Sequence, residues 1–360
     1  MILTKERSSD RNFGLDFVRV AAIFFVLAAH FVNSLEFVGF WGVELFFALS
    51  GYLIGHIIYR TMVVPERLDL KIILNFWKRR WYRTLPNYYL VLILMIFFHY
   101  YVTRDFQGFS YVLKYLWFGQ DILARSQVFY GVSWSLCIEE WFYFLFPLLL
   151  LLFQLLKANG KASVLLSVSL LVATSLTIRY IMVDHSPNIQ LRGITLARLD
   201  AIAFGVLISF FTNEYKAITN LRWILFFIGI ISLVSCIYFL YFSSSAFIQA
   251  KHHPLLLLFA PCSCALLLPV ISTVSLPGSR VPSIRLVISN LSLWSYSIYL
   301  IHIPVLITTY HVFDFIRDTT IGNVFSKCLG LALTILLSAM LYHVWEHPLT
   351  GRRPAELKYS

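Results

Sequence analysis

Two ionisable residues stand eleven positions apart in the first long apolar stretch, which opens Leu15-Asp16-Phe17-Val18-Arg19 and runs on to His30. Eleven helical steps make three turns and about 20°, so Arg19 and His30 share a face, about 16 Å apart along the axis. Ionisable groups inside a span are costly and mark an interior, functional face by default. Each also has a structural reading. Arg19 can snorkel to the headgroups, and His30 can be a hydrogen-bonded or interfacial residue.

The next stretch carries Gly42-Val43-Glu44-Leu45 and ends on Ser50-Gly51, small residues that let helices approach closely. Glu44 belongs at the outer end, near His30 or at headgroup level. A basic segment follows, Trp77-Lys78-Arg79-Arg80-Trp81-Tyr82-Arg83-Thr84-Leu85-Pro86, expected to be a cytoplasmic loop. If helical, it sets Arg80 and Arg83 on one face. Guanidinium pairs suit phosphates, and equally suit anchoring on anionic lipid. Glu139 and Glu140 are expected one to two turns below the outer surface, at about the depth of His30. They point about 100° apart, so one cavity cannot easily take both. A carboxylate beside an imidazole is a standard acid–base arrangement; a structural pairing of one Glu with a buried Arg is the other reading. Arg198-Leu199-Asp200 is either a buried ion pair or an outer-mouth contact for a polar acceptor. His302 reads as a hydrogen-bonded core group, and Glu346-His347-Pro348 as the end of the last helix.

The elements that must hold these residues follow from composition. Residues are 59% hydrophobic and 13% charged, with a mean hydropathy of +0.75. A soluble domain carries about 25% charged residues, so lipid must be part of this chain's solvent. Apolar runs near 17–35, 41–58, 87–103, 132–155, 162–183, 196–212, 223–242, 255–274, 291–310 and 323–344 predict an all-α bundle of about ten spans. They form a single membrane domain over 1–360. The segment 109–125 is broken by Lys114, Gln120 and Asp121 and predicts a re-entrant or interfacial helix. The net charge is +11, but most Lys and Arg fall in alternate loops. That pattern orients both termini to the cytoplasm and needs no nucleic acid. The five cysteines lie in or beside apolar runs and read as buried thiols. No Walker loop, dinucleotide fingerprint, Gly-x-Ser-x-Gly elbow or His-Glu-x-x-His occurs, which argues against an ATP-driven pump or a metal enzyme.

In order, the chain carries Leu-Asp-x-x-Arg-x10-His, Gly-Val-Glu-Leu-Phe-Phe-x-Leu-Ser-Gly, Arg-x-x-Arg-x-x-Pro and Trp-Ser-Leu-x-x-Glu-Glu-x-Phe-Tyr. Arg-Leu-Asp, Ser-Tyr-Ser-Ile-Tyr-Leu-Ile-His and Glu-x-Pro follow. This ordered set resembles the acyltransferase-3 family of membrane-bound acyltransferases over about residues 13–350. The resemblance implies transfer of an acyl group, often acetyl, from cytoplasmic acyl-CoA to a sugar hydroxyl of an extracytoplasmic or lipid-linked glycan, O-antigen lipopolysaccharide among them. It also implies a bacterial inner (plasma) membrane. On that basis His30 and Glu139 are the candidate catalytic residues, with His30 as base or acyl carrier. Arg19, Arg80 and Arg83 are the candidates for acyl-CoA phosphates. Glu44, Glu140, Arg198 and Asp200 are candidate acceptor contacts, and no metal is expected. Trp141 stands where the family often has Gln. The alternative is a transporter or flippase for lipid-linked sugars or amphipathic molecules, since intramembrane charge serves transport equally well.

Overall fold

The computed structural model describes residues 11–65, 68–104, 106, 108–124, 129–186, 189–242, 252–275, 282–317 and 319–357. Lys5, Arg7, Arg67, Arg125, Lys251, Arg280 and Lys358, among the basic residues whose distribution over alternate loops orients the chain, lie outside them.

Among the described residues, nine helices are long and apolar enough to cross a membrane. The helices that position the site are α1 (Phe13–Phe31), α2 (Val38–Ile58), α3 (Leu70–Phe98), α4 (Phe109–Leu116), α5 (Ser133–Leu155), α6 (Gly160–His185), α7 (Asp200–Glu214), α8 (Lys216–Phe242), α9 (Pro254–Ile271), α10 (Pro282–Val312) and α11 (Thr320–Leu341). Side-chain caps start several of them. Asn12 accepts from Leu15 N at 3.0 Å, Asn159 from Ala162 N at 2.8 Å and Thr319 from Gly322 N at 3.0 Å. Each cap satisfies a backbone N–H that the first turn leaves unpaired. The described residues form an all-α, polytopic membrane protein.

Two expectations change. The sixth predicted span, 196–212, is α7, a helix of 15 residues. That is about 22 Å, short of a bilayer core. It is entered by irregular backbone, whose Leu191, Ile194, Thr195, Ala197 and Arg198 are fully buried. The basic loop is not a loop: α3 begins at Leu70 and contains Arg80, Arg83 and Pro86. Ile72, Ile73, Phe76 and Trp77 are buried along this stretch; Lys71 and Lys78 take the opposite face, while Arg80 and Arg83 continue the line of the buried one.

The segment after α3 folds back along that helix. Tyr88 OH donates to Tyr115 O at 2.9 Å and Tyr89 OH to Leu116 O at 2.7 Å. α4 therefore runs back along α3 to a depth of about 15 Å below Phe98. The two hydroxyls satisfy carbonyls at its C-terminal end, as a helix ending at membrane depth requires.

α2 is the central helix and crosses α7 closely. A Cβ on Gly51 would sit 2.1 Å from Ile202 O, and one on Gly205 would sit 2.3 Å from Ala48 O. Both ends of the described chain lie at the same, basic end of the bundle. Asn12 Nδ2 donates to Ser272 O at 2.6 Å, and Arg60 makes two 2.7 Å bonds to Glu356.

Candidate active site

A cavity of about 100 Å³, open on one side, lies between α1, α2, α3, α5 and α10. Its wall is mostly apolar and includes Val43, Phe46, Phe47, Leu53 and Leu136. Its charged groups are Arg19, Arg80, Arg83 and Glu139. Along the buried face of α3, Arg80 and Arg83 reach this wall, a placement that a loop could not fix.

Arg19 is held from behind. Its Nη1 lies 3.3 Å from Asp16 Oδ1 and 3.0 Å from Ser292 Oγ, while Ser292 Oγ donates to Asp16 at 2.8 Å. Arg11 also binds Asp16, with Nε 2.9 Å from Oδ2. One carboxylate thus serves two guanidiniums, and Arg19 keeps donor capacity for a ligand. The Arg80 guanidinium carbon lies 4.4 Å from the Tyr143 ring centroid, and Arg80 Nε is buried without a hydrogen-bond partner. Among the described residues, neither Arg80 nor Arg83 has an ion-pair partner within 4.0 Å. Beside them, Glu346 accepts from Ser297 Oγ at 2.6 Å and from Asn87 Nδ2 at 3.0 Å.

Glu139 accepts from Ser50 Oγ and from Tyr143 OH, both at 3.1 Å. This corrects its expected depth. Glu139 is level with Ser50 and joins the arginines rather than His30. The Ser133 end of α5 is itself sunk in the bundle, where Gln120 Nε2 donates to Ser133 Oγ at 3.1 Å, so counting turns from an outer surface misplaced it. Glu140 is buried on another face of α5, as the 100° step between adjacent residues requires.

The other acceptor candidates form closed pairs. Glu44 and Arg198 are both fully enclosed and bonded to each other, and Arg198 Nη1 also donates to Leu257 O at 2.7 Å. Arg179 makes two bonds to Asp200, at 3.2 and 2.6 Å, again with both groups fully buried. The structure thus brings Arg198 and Asp200 into the bundle interior rather than to an outer mouth. Arg179 went unread in the sequence, although an arginine inside an apolar helix was itself the signal. Arg192 stacks over Phe40 and Trp134, 4.7 and 5.1 Å from their centroids, with its Nε 3.6 Å from Glu44.

His30 sits in the last turn of α1, at the end opposite Asp16 and Arg19. Its ring centroid is 5.1 Å from that of His302. Neither histidine lines the cavity, but Tyr299 does, and its ring centroid is 5.8 Å from His302. Tyr299 thus stands between the cationic, apolar-walled cavity and the pair of imidazoles.

A polytopic helical bundle that encloses such a cavity defines the class: an integral, multi-pass membrane protein with arginines on the wall of an interior cavity. The chain matches the family described as "Acyltransferase domain" over residues 12–343 and belongs to that family, as the ordered motifs implied. It is 28% identical over 363 residues to the peptidoglycan O-acetyltransferase OatA of Listeria monocytogenes, covering 93% of this chain and 55% of that protein. It is 27% identical over 375 residues to the putative peptidoglycan O-acetyltransferase YrhL of Bacillus subtilis, covering 93% and 54%. Over 213 residues it is 29% identical to an O-acetyltransferase OatA of Staphylococcus aureus, covering 55% and 34%. The chain thus spans about half the length, or less, of these curated relatives. No solved structure matches it.

Proposed function

We propose that the chain is a membrane O-acetyltransferase that moves an acetyl group from acetyl-CoA to a sugar hydroxyl of a cell-surface or lipid-linked glycan. The observation that carries this reading is the convergence of Arg19, Arg80 and Arg83 on one apolar-walled cavity. Arg80 and Arg83, guanidiniums without carboxylate partners, and the remaining donors of Arg19 suit the phosphates of CoA. The apolar wall suits the pantetheine arm and its thioester. The excess of Lys and Arg at this end favours the cytoplasmic side, where acyl-CoA is available. The relatives' names favour a peptidoglycan-type acceptor over an O-antigen.

At the far end, His30 takes the proton of the acceptor hydroxyl as its oxygen attacks the thioester carbonyl carbon. A C–O bond forms, the C–S bond breaks, and the proton passes from His30 to the departing thiolate. Glu139, bonded to Ser50 and Tyr143, balances the charge of the arginines and keeps them from collapsing onto the empty cavity.

The test compares cell-wall glycans from a host expressing the wild type with those from one expressing His30→Ala at equal membrane abundance. Alkali-labile acetyl esters appear by mass spectrometry only with the wild type. Equal ester content with both proteins overturns the assignment of His30. Movement of an unmodified glycan lipid, with no acetyl-CoA consumed, makes the protein a transporter instead.

A further inference from the structure

His302 is fully buried inside α10. Its Nδ1 lies 2.8 Å from Tyr299 O and 3.2 Å from Ile298 O. A carbonyl oxygen only accepts, so Nδ1 must carry the hydrogen. The tautomer is thereby set, and Nε2 presents a bare lone pair. That nitrogen is buried with no hydrogen-bond partner. A buried acceptor without a donor is unfavourable, and such atoms in native structures call for an explanation.

The nearest ring supplies one. The His30 and His302 centroids lie 5.1 Å apart with planes at 48°. An N–H···N bond of about 3 Å between two imidazoles puts their centroids about 5 Å apart. A modest turn of the His30 ring therefore joins them without moving either helix. The backbone of Tyr299, a residue of the cavity wall, fixes the His302 ring, so the base is referenced to the donor cavity.

We propose that His302 is the positioning residue of the reaction: its Nε2 holds one N–H of His30 and so aims the other His30 nitrogen at the acceptor hydroxyl. His302 then does what a carboxylate does for the histidine of a hydrolase triad, fixing tautomer and orientation without touching the substrate. Glu139, the carboxylate expected in that role, is engaged among the arginines. This inference rests on His30 being the base.

The experiment uses the full chain in proteoliposomes with three variants. His302→Phe keeps a ring and removes the acceptor. His302→Gln keeps an acceptor at the position of Nε2. His30→Ala tests the underlying reading. The first readout needs no acceptor glycan: the rate at which diethylpyrocarbonate modifies His30, followed by peptide mass spectrometry. The rate falls at least about fivefold in His302→Phe and stays within about twofold of wild type in His302→Gln. The second readout is transfer from acetyl-CoA to a chitooligosaccharide probe. His302→Phe lowers kcat about 100-fold, at the low end of general-base effects, with KM for acetyl-CoA within about twofold. His302→Gln recovers most of the loss. An unchanged His30 modification rate in His302→Phe, or Phe and Gln variants that behave alike, overturns the proposal. An inactive His30→Ala beside a fully active His302→Phe leaves His30 as the base and removes His302 from the mechanism. A fully active His30→Ala removes the base itself.

Discussion

Glu44 and Arg198 were candidate acceptor contacts by motif, but the structure encloses both completely. Glu44→Ala would leave the Arg198 guanidinium in the core hydrogen-bonded to the Leu257 carbonyl, with the Arg192 cation, which also faces Glu44, deprived of the same carboxylate beside it. Removing one partner of a buried pair costs about 3–5 kcal/mol, because the remaining charge loses its compensation. At about 2–4 °C per kcal/mol for a chain of this order, the thermal aggregation midpoint in detergent falls by about 10 °C or more. The double variant Glu44→Leu with Arg198→Met removes both charges at similar volume and recovers much of that loss. The assay is size-exclusion chromatography after heating, run beside the KM for the glycan acceptor and membrane abundance. A Glu44→Ala protein with wild-type stability and abundance, but a raised KM for the glycan, would refute the structural role and make Glu44 an acceptor contact.

Three shorter predictions follow. Asp16→Asn frees Arg19 from its anchor and weakens CoA binding about tenfold, the scale of one charge-assisted hydrogen bond, as equilibrium binding would show. Gly51→Val drives side-chain carbon into the Ile202 carbonyl, which a Cβ alone would meet at 2.1 Å, so the protein fails to accumulate in membranes on immunoblots. Glu139→Gln keeps a hydrogen-bonding group for Ser50 and Tyr143 while removing the negative charge. It folds normally and tightens CoA binding, while its kcat for acetyl transfer drops; weaker binding would contradict the charge-balancing role.

Hydropathy made most of the membrane fold legible, because spans are long apolar runs whatever packs beside them. It failed where a helix is amphipathic or short. The residues from Lys71 to Arg83 look like a loop on a hydropathy count, yet buried Ile72, Ile73, Phe76 and Trp77 make them the first turns of α3. α7 looked full length because the apolar residues leading to it, Ala197 and Leu199 among them, are buried in irregular backbone. The arginines of the donor cavity were legible as a spacing, since Arg80 and Arg83 lie on one helix. The partner of Glu44 was not, because Arg198 lies 154 residues away and only the packing of α2 against the entry to α7 brings them together. Depth was the least readable quantity. Glu139 was scaled from an assumed surface entry, whereas the start of α5 lies inside the bundle. His302 looked like a core residue because only its three-dimensional neighbour, His30, gives its bare nitrogen a purpose.

The central claim is that the cavity holds the phosphates of CoA. Its most direct test is the equilibrium binding of CoA to the purified protein in lipid nanodiscs, wild type beside an Arg80→Gln, Arg83→Gln double variant of equal thermal stability. The account predicts that the double variant loses affinity by about 100-fold, on the scale of about 1.5 kcal/mol for each charged contact removed, and that wild-type binding weakens as salt rises. Equal affinity in the two proteins would contradict it.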